Sequence, residues 1–346
     1  MILMDIDSRV EKRPFVLPEE RVTVVTLSPA IAERELGIEL EHEKRSPLYI
    51  FVLWLVSFWA MITNLSQALF LKIAKRKKGT LRKILWDMGR DPEHISSFAV
   101  DRFSRFNHEA KYGAAGWRAL KLFYNYHSEV LPRLNGNLEG FVTRFWTGKM
   151  QNRQAVTNRL KVTSKLLAKA FSKFINEPEV RIVSVASGSA QAVVEAMKLS
   201  PQKVRAILID IDRSALEEAS RLVKAVGLEE RFSFVYGPAA IVQKVCADFK
   251  PHIIEMIGFL DYRPKEQAIK LIKRIHNYLP QGGIFLTCNI RKNPERAFLS
   301  WALLWPLIYR NERQLSEIVV GGGFSPEDVD IIYEPFRIHG IAVCRK

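Results

Sequence analysis

Residues 181–212 read RIVSVASGSAQAVVEAMKLSPQKVRAILIDID, and this stretch decides the fold. Two mostly apolar runs, residues 181–186 and 204–209, are typical of strands that are covered on both faces of a sheet. A glycine-containing turn and an amphipathic helix through Leu199 lie between the two runs. This order predicts two neighbouring parallel strands that are joined by a crossover helix.

The same alternation of apolar runs and amphipathic helices continues to the end of the chain. Further strands are predicted at residues 232–236, 252–257 and 283–289, and a helix at residues 264–278. The last two runs, residues 328–335 and 339–346, are separated by a very short link and predict an antiparallel hairpin. The prediction is therefore an α/β fold with a seven-stranded, mostly parallel sheet that ends in an antiparallel pair.

This arrangement resembles the class I methyltransferases, which use S-adenosylmethionine (SAM). The resemblance covers residues 151–346 and rests on the order of the motifs. LPQGG at residues 279–283 matches the family's turn before the fifth strand closely. A dinucleotide-binding interpretation is weaker, because the chain has no G-x-G-x-x-G sequence and the terminal hairpin would be unexplained.

The first motif of the family is an acidic residue followed by a Gly-x-Gly-x-Gly turn, and VSVASGSA at residues 183–190 stands in its place. Gly188 retains one of the three glycines, whereas Ala186 and Ala190 stand in the other two positions. Ser184 stands where the acid is expected. Small residues still permit a tight turn, but the resemblance implies that the usual contact to the methionine amine has changed.

Asp210 stands 22 residues beyond Gly188, at the end of the second predicted strand. A carboxylate in that place can accept both ribose hydroxyls of a nucleoside. Asp212 is the alternative for this role. The residues that the resemblance assigns to the cofactor are Ser184, Ala186, Ser187, Gly188, Asp210, Ile211, Gly237, Ala239, Glu255 and Ile257.

Methyl transfer from a sulfonium is an in-line displacement, so positioning can supply much of the rate. A general base is needed only if the acceptor loses a proton. The candidate catalytic residues are Asp261 and Tyr262, which follow the fourth strand, and Tyr309. The candidates for acceptor binding are Arg310, Trp305 and His127, and His127 is also a candidate base. Each of these residues has a structural alternative, and a Trp at helical spacing is more often core than pocket.

The 52 basic and 37 acidic residues give a net charge of +15, which lies in two segments that contain no acid. Residues 72–86 contain seven basic residues: Lys72, Lys75, Arg76, Lys77, Lys78, Arg82 and Lys83. Residues 144–173 contain eight, and four of them (Lys161, Lys165, Lys169 and Lys173) recur on one side of a predicted basic amphipathic helix. Anionic lipid and nucleic acid are the polyanions that such segments could bind. The chain has no helix-turn-helix, RNP or zinc-finger signature, which argues against nucleic acid.

Residues 46–71 form a stretch of 26 residues without a charge. About 20 mostly apolar residues are enough to cross a bilayer, so the stretch predicts a transmembrane or membrane-anchoring helix. The basic residues that follow it predict a cytoplasmic C-terminal side. The alternative is a core helix of a soluble helical domain, with a cytoplasmic protein as the result.

These observations predict four regions: a tail (1–45), the membrane helix (46–71), a helical region or lid (72–150) and the methyltransferase-like domain (151–346). The leading hypothesis is a SAM-dependent methyltransferase at the cytoplasmic face of a membrane, acting on a small-molecule, lipid or amphiphilic acceptor. One alternative is a membrane-attached scaffolding protein without catalysis, and another is a soluble RNA or protein methyltransferase. The three cysteines lie far apart, which favours reduced thiols and argues against a zinc site.

Overall fold

The computed structural model describes residues 13–17, 20–74 and 76–346, and the chain divides into two compact units. Unit 1 contains the described residues up to 41 together with residues 158–292 and 308–346, and unit 2 contains the described residues of 42–157 together with residues 293–307. The predicted domain bounds differ from these units at three places. Part of the predicted tail belongs to unit 1, and two segments of the predicted methyltransferase-like domain, residues 151–157 and 293–307, belong to unit 2.

The described elements alternate along the chain much as the apolar runs predict. The strands are β1 (Arg13–Leu17), β2 (Glu20–Thr26), β3 (Val180–Val185), β4 (Val204–Asp210), β5 (Phe232–Tyr236), β6 (Ile253–Met256), β7 (Ile284–Ile290), β8 (Val329–Tyr333) and β9 (His339–Arg345). The helices are α1 (Pro29–Leu36), α2 (Pro47–Ile73), α3 (Leu81–Gly89), α4 (Arg105–Tyr112), α5 (Trp117–Tyr124), α6 (Leu138–Thr143), α7 (Gln151–Ser172), α8 (Gln191–Leu199), α9 (Arg213–Ala225), α10 (Val242–Phe249), α11 (Lys265–Tyr278), α12 (Arg296–Trp301) and α13 (Glu312–Gly321).

The strands of unit 1 form one sheet in the order β1-β2-β8-β9-β7-β6-β3-β4-β5. Strands β3 to β7 are mutually parallel, and β9 is antiparallel to both β7 and β8. This confirms the predicted α/β fold with its C-terminal antiparallel pair. Because all five parallel strands point the same way, their carboxyl ends meet at one edge of the sheet, which is where ligands bind in such folds.

Two N-terminal strands extend the seven that were predicted. Strand β2 pairs in parallel with β8, from Thr23 opposite Asp330 to Thr26 opposite Tyr333, and β1 pairs with β2. The sequence assigns this segment to the tail, in which the Ser28 side chain caps α1 by accepting from the Ile31 N–H at 3.3 Å. It does not predict the pairing, because the partner strand lies at the other end of the chain.

Helix α7 lies in the core of unit 1 from residue 158 onward. Its apolar residues pack against the same face of the sheet as α1, α8 and α9, while α10, α11 and α13 cover the other face. Lys161, Lys165 and Lys169 are only half-buried at its margin, and the Lys161 amine donates to the Glu39 carbonyl at 2.8 Å. Burial leaves this helix little surface for lipid, so the prediction of a basic amphipathic surface helix is not supported.

Unit 2 is helical, as predicted for residues 72–150. Among the described residues, α2 is the one helix that is long and apolar enough to cross a membrane by length and composition. Only 28% of its most apolar 18-residue window is buried. Most of its apolar surface therefore faces outward, in contrast to the core helix of a soluble domain.

Leu27 tests whether the N-terminal segment belongs to the core of unit 1. Its side chain is 1% exposed, whereas Leu48 in unit 2 is 68% exposed. Leu27→Ala should lower the free energy of unfolding by about 2–5 kcal/mol, because removing a buried methyl cluster leaves a cavity. Leu48→Ala makes the same chemical change and should cost much less in chemical denaturation. Equal effects would contradict the assignment of this segment to the core.

Candidate active site

The turn between β3 and α8 has a left-handed backbone at three positions. Ala186, Gly188 and Ala190 have φ angles of 54°, 55° and 55°. This conformation favours glycine, so both alanines stand where the backbone itself calls for glycine. The Ser187 N–H donates to the Ile209 carbonyl at 3.1 Å, which ties the turn to β4. The shape of a glycine-rich turn is therefore present although two glycines are not.

Asp210 ends β4 with its carboxylate directed at this turn. Its Oδ2 accepts from the Gly188 N–H at 2.8 Å, and its Oδ1 accepts from the Asp212 N–H at 2.9 Å. Burial raises the pKa of Asp210, while the backbone bonds act in the opposite direction. Asp212 plays a different role, because its Oδ1 accepts from the Ser214 N–H at 2.9 Å and so caps α9. The two aspartates that the sequence left as alternatives thus have distinct surroundings.

The neighbouring ends of β4 and β5 present apolar side chains to solvent. Ile211 is 66% exposed and Tyr236 is 53% exposed, although both are large and apolar or aromatic. The Gly237 N–H donates to the Asp210 carbonyl at 2.9 Å, so the end of β5 lies beside the aspartate. Ala239 follows in a short turn and is half-buried. The predicted residues Ile211, Gly237 and Ala239 therefore flank Asp210.

A buried carboxylate lies beside Ser184, the residue that replaces the expected acid. Ser184 and Glu255 are paired across β3 and β6, and the Ser184 hydroxyl donates to Glu255 Oε2 at 2.5 Å. The other carboxylate oxygen accepts from the Ile257 N–H at 2.9 Å. Burial raises the pKa of Glu255, and these hydrogen bonds oppose that rise. A carboxyl group is thus present near the expected place, but it comes from the adjacent strand.

Arg159 is a residue of this region that the sequence analysis missed. It lies on α7, is 3% exposed, and its Nη1 is 3.8 Å from Cys288 Sγ. The same sulfur accepts from the Gly258 N–H at 3.1 Å. Burial raises the pKa values of Glu255 and Asp261, and the charge of Arg159 lowers both. In the sequence Arg159 is one of many cations in an acid-free segment, which hides its position in the interior.

His339 is a second residue that the sequence did not single out. It begins β9 opposite Ile290 and is 3% exposed. Within the described part of the chain, neither of its ring nitrogens has a hydrogen-bond partner. Burial and then the charge of Arg159 lower its pKa well below the ordinary value, so the ring is neutral near pH 7. A histidine at the start of a strand fits the local sequence pattern of a strand as other residues do, so no local signal marks it.

The candidate catalytic residues lie in the segments that follow β6 and precede α13. Asp261 is 4% exposed, and its Oδ1 accepts from the Ile290 N–H at 2.7 Å. Its carbonyl accepts from the Ile308 N–H at 2.8 Å. Burial raises the pKa of Asp261 to about 6. Tyr262 and Tyr309 are half-buried.

Arg310 makes several contacts within unit 1. Its Nη1 donates to the Leu260 carbonyl at 2.7 Å and to Asn289 Oδ1 at 2.6 Å, and its Nη2 donates to the Arg263 carbonyl. The side chain is 6% exposed. These bonds hold the segment after β6 against the end of β7. These bonds give Arg310 a structural role, and binding of the methyl acceptor by Arg310 stays a prediction.

Trp305 and His127 belong to unit 2, whereas the other candidates belong to unit 1. Trp305 is 6% exposed, and its ring lies 6.2 Å from the ring of Phe123. His127 is exposed, and its ring meets that of Tyr126 edge-on at 5.2 Å. Trp305 therefore packs within unit 2, and acceptor binding by Trp305 and His127 stays a prediction.

The amino-acid sequence also matches a known protein family. A family model described as "Putative methyltransferase" matches residues 119–344, which is more than half of the chain. The chain belongs to this methyltransferase family. Membership confirms the prediction of a class I, SAM-dependent methyltransferase and of SAM as its cofactor.

Solved structures of low identity are similar to the methyltransferase to different degrees. A possible exported protein from Bordetella parapertussis is 14% identical, with a TM-score of 0.58 over 84% of this chain and 96% of that one. An O-methyltransferase family protein from Burkholderia thailandensis is 13% identical, with a TM-score of 0.47 over 82% and 71% of the chains. At 14% identity the likeness to the Bordetella protein concerns the fold alone. No curated protein matches the methyltransferase.

The two left-handed alanines predict a stability gain from glycine. Ala186→Gly and Ala190→Gly should each raise the free energy of unfolding by up to about 1 kcal/mol, because glycine removes the strain of the left-handed backbone. Ala192→Gly within α8 is the matched control and should lower it by about 0.5–1 kcal/mol. Chemical denaturation of the three variants measures the effect. Losses at all three positions would contradict the strained turn.

Asp261 predicts a pH dependence of stability. Its folded-state pKa of about 6 lies above the ordinary value of 3.8, so the folded protein retains a proton between those pH values that the unfolded chain releases. The resulting stability is complete below the lower value and is lost as the pH rises through the higher one. Asp261→Asn keeps an oxygen for the Ile290 N–H but cannot ionise.

The Asp261→Asn variant should therefore become more stable relative to the unchanged protein as the pH rises from about 4 to about 7. The gain should be on the order of 3 kcal/mol, which corresponds to a shift of about two pKa units. Urea denaturation across this pH range provides the measurement. Stability curves that stay parallel over the whole range would show that the Asp261 carboxyl is not shifted by burial.

Proposed function

We propose that the methyltransferase binds SAM at the carboxyl edge of β3, β4, β5 and β6 and methylates a small amphiphilic or lipid acceptor at the cytoplasmic face of a membrane. The observation that carries the cofactor site is the Asp210 carboxylate on the Gly188 N–H, 2.8 Å apart. This bond places a carboxylate beside a turn that has left-handed residues at three alternate positions.

In this proposal Asp210 binds the ribose. The Asp210 carboxylate accepts from the N–H groups of Gly188 and Asp212, and an ionised carboxylate offers about four acceptor sites in all. The remaining sites suit two neighbouring sugar hydroxyls, which are donors. Asp212 does not compete, because its carboxylate caps α9 through Ser214.

The exposed Ile211 side chain and the turn at Gly237 and Ala239 are proposed to hold the adenine. An exposed apolar side chain next to the sugar-binding acid can pack against the flat face of a base, and this contact removes apolar area from water. A side chain at Gly237 would lie 2.6 Å from Ile241 Cδ1. Glycine at this position therefore lets the turn after β5 pack closely against Ile241.

Glu255 is proposed to bind the ammonium group of the methionine part of SAM. A buried carboxylate favours a cation as its neighbour, because the cation offsets the cost of burying the negative charge. Ser184 orients one of its oxygens and the Ile257 N–H orients the other. Arg159 positions this region from α7 through its contact with Cys288, and its charge limits the rise in the pKa of Glu255.

SAM, when bound, supplies an electrophilic methyl group on a sulfonium. The protein then has to orient the acceptor and, for an acceptor that loses a proton, hold that proton. Tyr262 and Tyr309 are proposed as the polar groups that serve this purpose, since Tyr262 follows β6, Tyr309 precedes α13, and both are half-buried. Asp261 has a pKa of about 6 and can take a proton near neutral pH, but its bond to the Ile290 N–H favours a positioning role.

The membrane part of the proposal rests on unit 2. Helix α2 exposes a stripe of large apolar residues, including Phe51, Trp54 and Trp59. The basic segment, residues 72–86, begins at the end of this helix and suits an anionic leaflet. Attachment to a membrane favours an acceptor that is itself dissolved in that membrane, hence a lipid or another amphiphile.

Calorimetry with SAM and with S-adenosylhomocysteine tests the cofactor site. Asp210→Asn should weaken binding of both ligands about tenfold to a hundredfold, because a hydrogen bond to a charged group contributes about 1.5–3 kcal/mol. Asp212→Asn is the matched control and should bind as the unchanged protein does. Equal losses in the two variants would contradict the assignment of the ribose to Asp210. An absence of heat for either ligand with the folded, unchanged chain would favour the scaffolding alternative.

A further inference from the structure

Helix α2 has one buried face and one exposed face. The residues of its inner face are buried and recur every three or four positions: Tyr49, Leu53, Ser57, Ala60, Asn64 and Ala68. The outer face carries large apolar residues that are exposed by 38–78%: Leu48, Phe51, Trp54, Leu55, Phe58, Trp59, Ile62, Leu69, Phe70 and Ile73. A soluble monomer rarely exposes an apolar patch of this extent.

The inner face is held to the rest of unit 2 along its whole length. At the start of the helix the ring of Tyr49 lies 5.2 Å from that of Phe145 and 5.9 Å from that of Trp146. Near the end, Ala68 packs with Met88 of α3 and with Leu304. A helix that crossed a bilayer alone would lose these contacts, and one that kept them would carry the neighbouring helices into lipid.

Asn64 fixes the middle of the helix. Its amide donates to the Ser96 carbonyl at 3.1 Å and to the Trp301 carbonyl at 2.9 Å, and its oxygen lies 3.1 Å from a ring nitrogen of His94. All of these partners are polar groups of unit 2. A polar amide within a membrane span needs such partners, and here they come from segments that are not membrane helices.

Charged groups lie directly behind these partners. The Asp101 carboxylate accepts from the N–H groups of Ser96 and Ser97, each at 2.8 Å. Lys111 Nζ lies 3.4 Å from Asp101, and both side chains are fully buried. Carrying this ion pair into hydrocarbon would be costly, so the side of α2 that faces it does not face lipid.

We infer that α2 lies in the plane of one leaflet, with its outer face in the lipid and its inner face on unit 2, and that it does not cross the membrane. This inference rests on the proposed membrane attachment and specifies its geometry. A helix that lies in the interface buries its exposed apolar face at the boundary of headgroups and acyl chains, and unit 2 covers the other face of α2.

An anionic leaflet is the partner that the charges favour. The described cations of the basic segment include Lys72, Arg76, Lys77 and Lys78, while Lys75 lies outside the described residues. Each cation near an anionic surface strengthens binding to it. A second copy of the chain would bring an equally positive segment and would be repelled. Phe98 and Phe141 are two further exposed aromatic residues of unit 2.

The topology is tested with single cysteines at Lys44 and Lys78, which are exposed and flank α2. The native cysteines are all buried and should stay silent. The full chain is labelled with a membrane-impermeant maleimide in sealed vesicles of the expression host in both orientations. Lys44→Cys and Lys78→Cys should react from the same side. Reaction from opposite sides would overturn the in-plane geometry and leave the cofactor site untouched.

The lipid contact is tested by flotation with vesicles of phosphatidylcholine with and without phosphatidylserine. Phe51→Asp combined with Phe58→Asp should reduce binding tenfold or more. Ile175→Asp combined with Leu199→Asp, two exposed positions of unit 1, is the matched control and should bind unchanged. Binding should increase with phosphatidylserine. The inference would be overturned in favour of a second copy if the unchanged chain does not bind vesicles and forms a dimer, and if Phe51→Asp combined with Phe58→Asp converts that dimer to monomers.

Discussion

The hydrogen bond from the Gly188 N–H to Asp210 is the constraint on which the carboxyl edge of the sheet depends. It joins the turn after β3 to the end of β4 at 2.8 Å, and the turn reaches that position only with a left-handed backbone. Ala186 and Ala190 accept the same backbone at a cost of about 1–2 kcal/mol each. The chain thus retains the shape of a glycine-rich turn under local strain, as is common where a backbone must approach a ligand.

A second constraint is the placement of negative charge in the interior. The acid expected on β3 is replaced by Ser184, and Glu255 on the adjacent strand supplies a carboxylate to the same place. Burial makes that carboxylate costly unless a cation or donors surround it. Arg159 on α7 supplies part of the compensation, and a bound ammonium group would supply more. The substitution of one residue is therefore balanced by two others that lie far away in sequence.

The sequence predicts those parts of the molecule that depend on local patterns. Continuous apolar runs predict strands β3 to β9, and the spacing of Asp210 from Gly188 predicts the acid at the end of β4. Strand pairing and burial are not local properties, because they depend on which segments of the chain meet. Examples are the pairing of β2 with β8, the contact of Ser184 with Glu255 and the burial of Arg159. Periodicity shows that a face is buried, but not against what. For the same reason the lysines of α7 suggested a surface helix, although the helix lies in the core.

The proposed cofactor site requires that a nucleoside bind at the carboxyl edge of the sheet in unit 1. A crystal structure of the chain with S-adenosylhomocysteine measures this directly. It should show the ribose hydroxyls on the carboxylate of Asp210, with the amino group of the ligand within hydrogen-bond distance of Glu255. A ligand bound elsewhere, with Asp210 contacting only the backbone of Gly188 and Asp212, would contradict it.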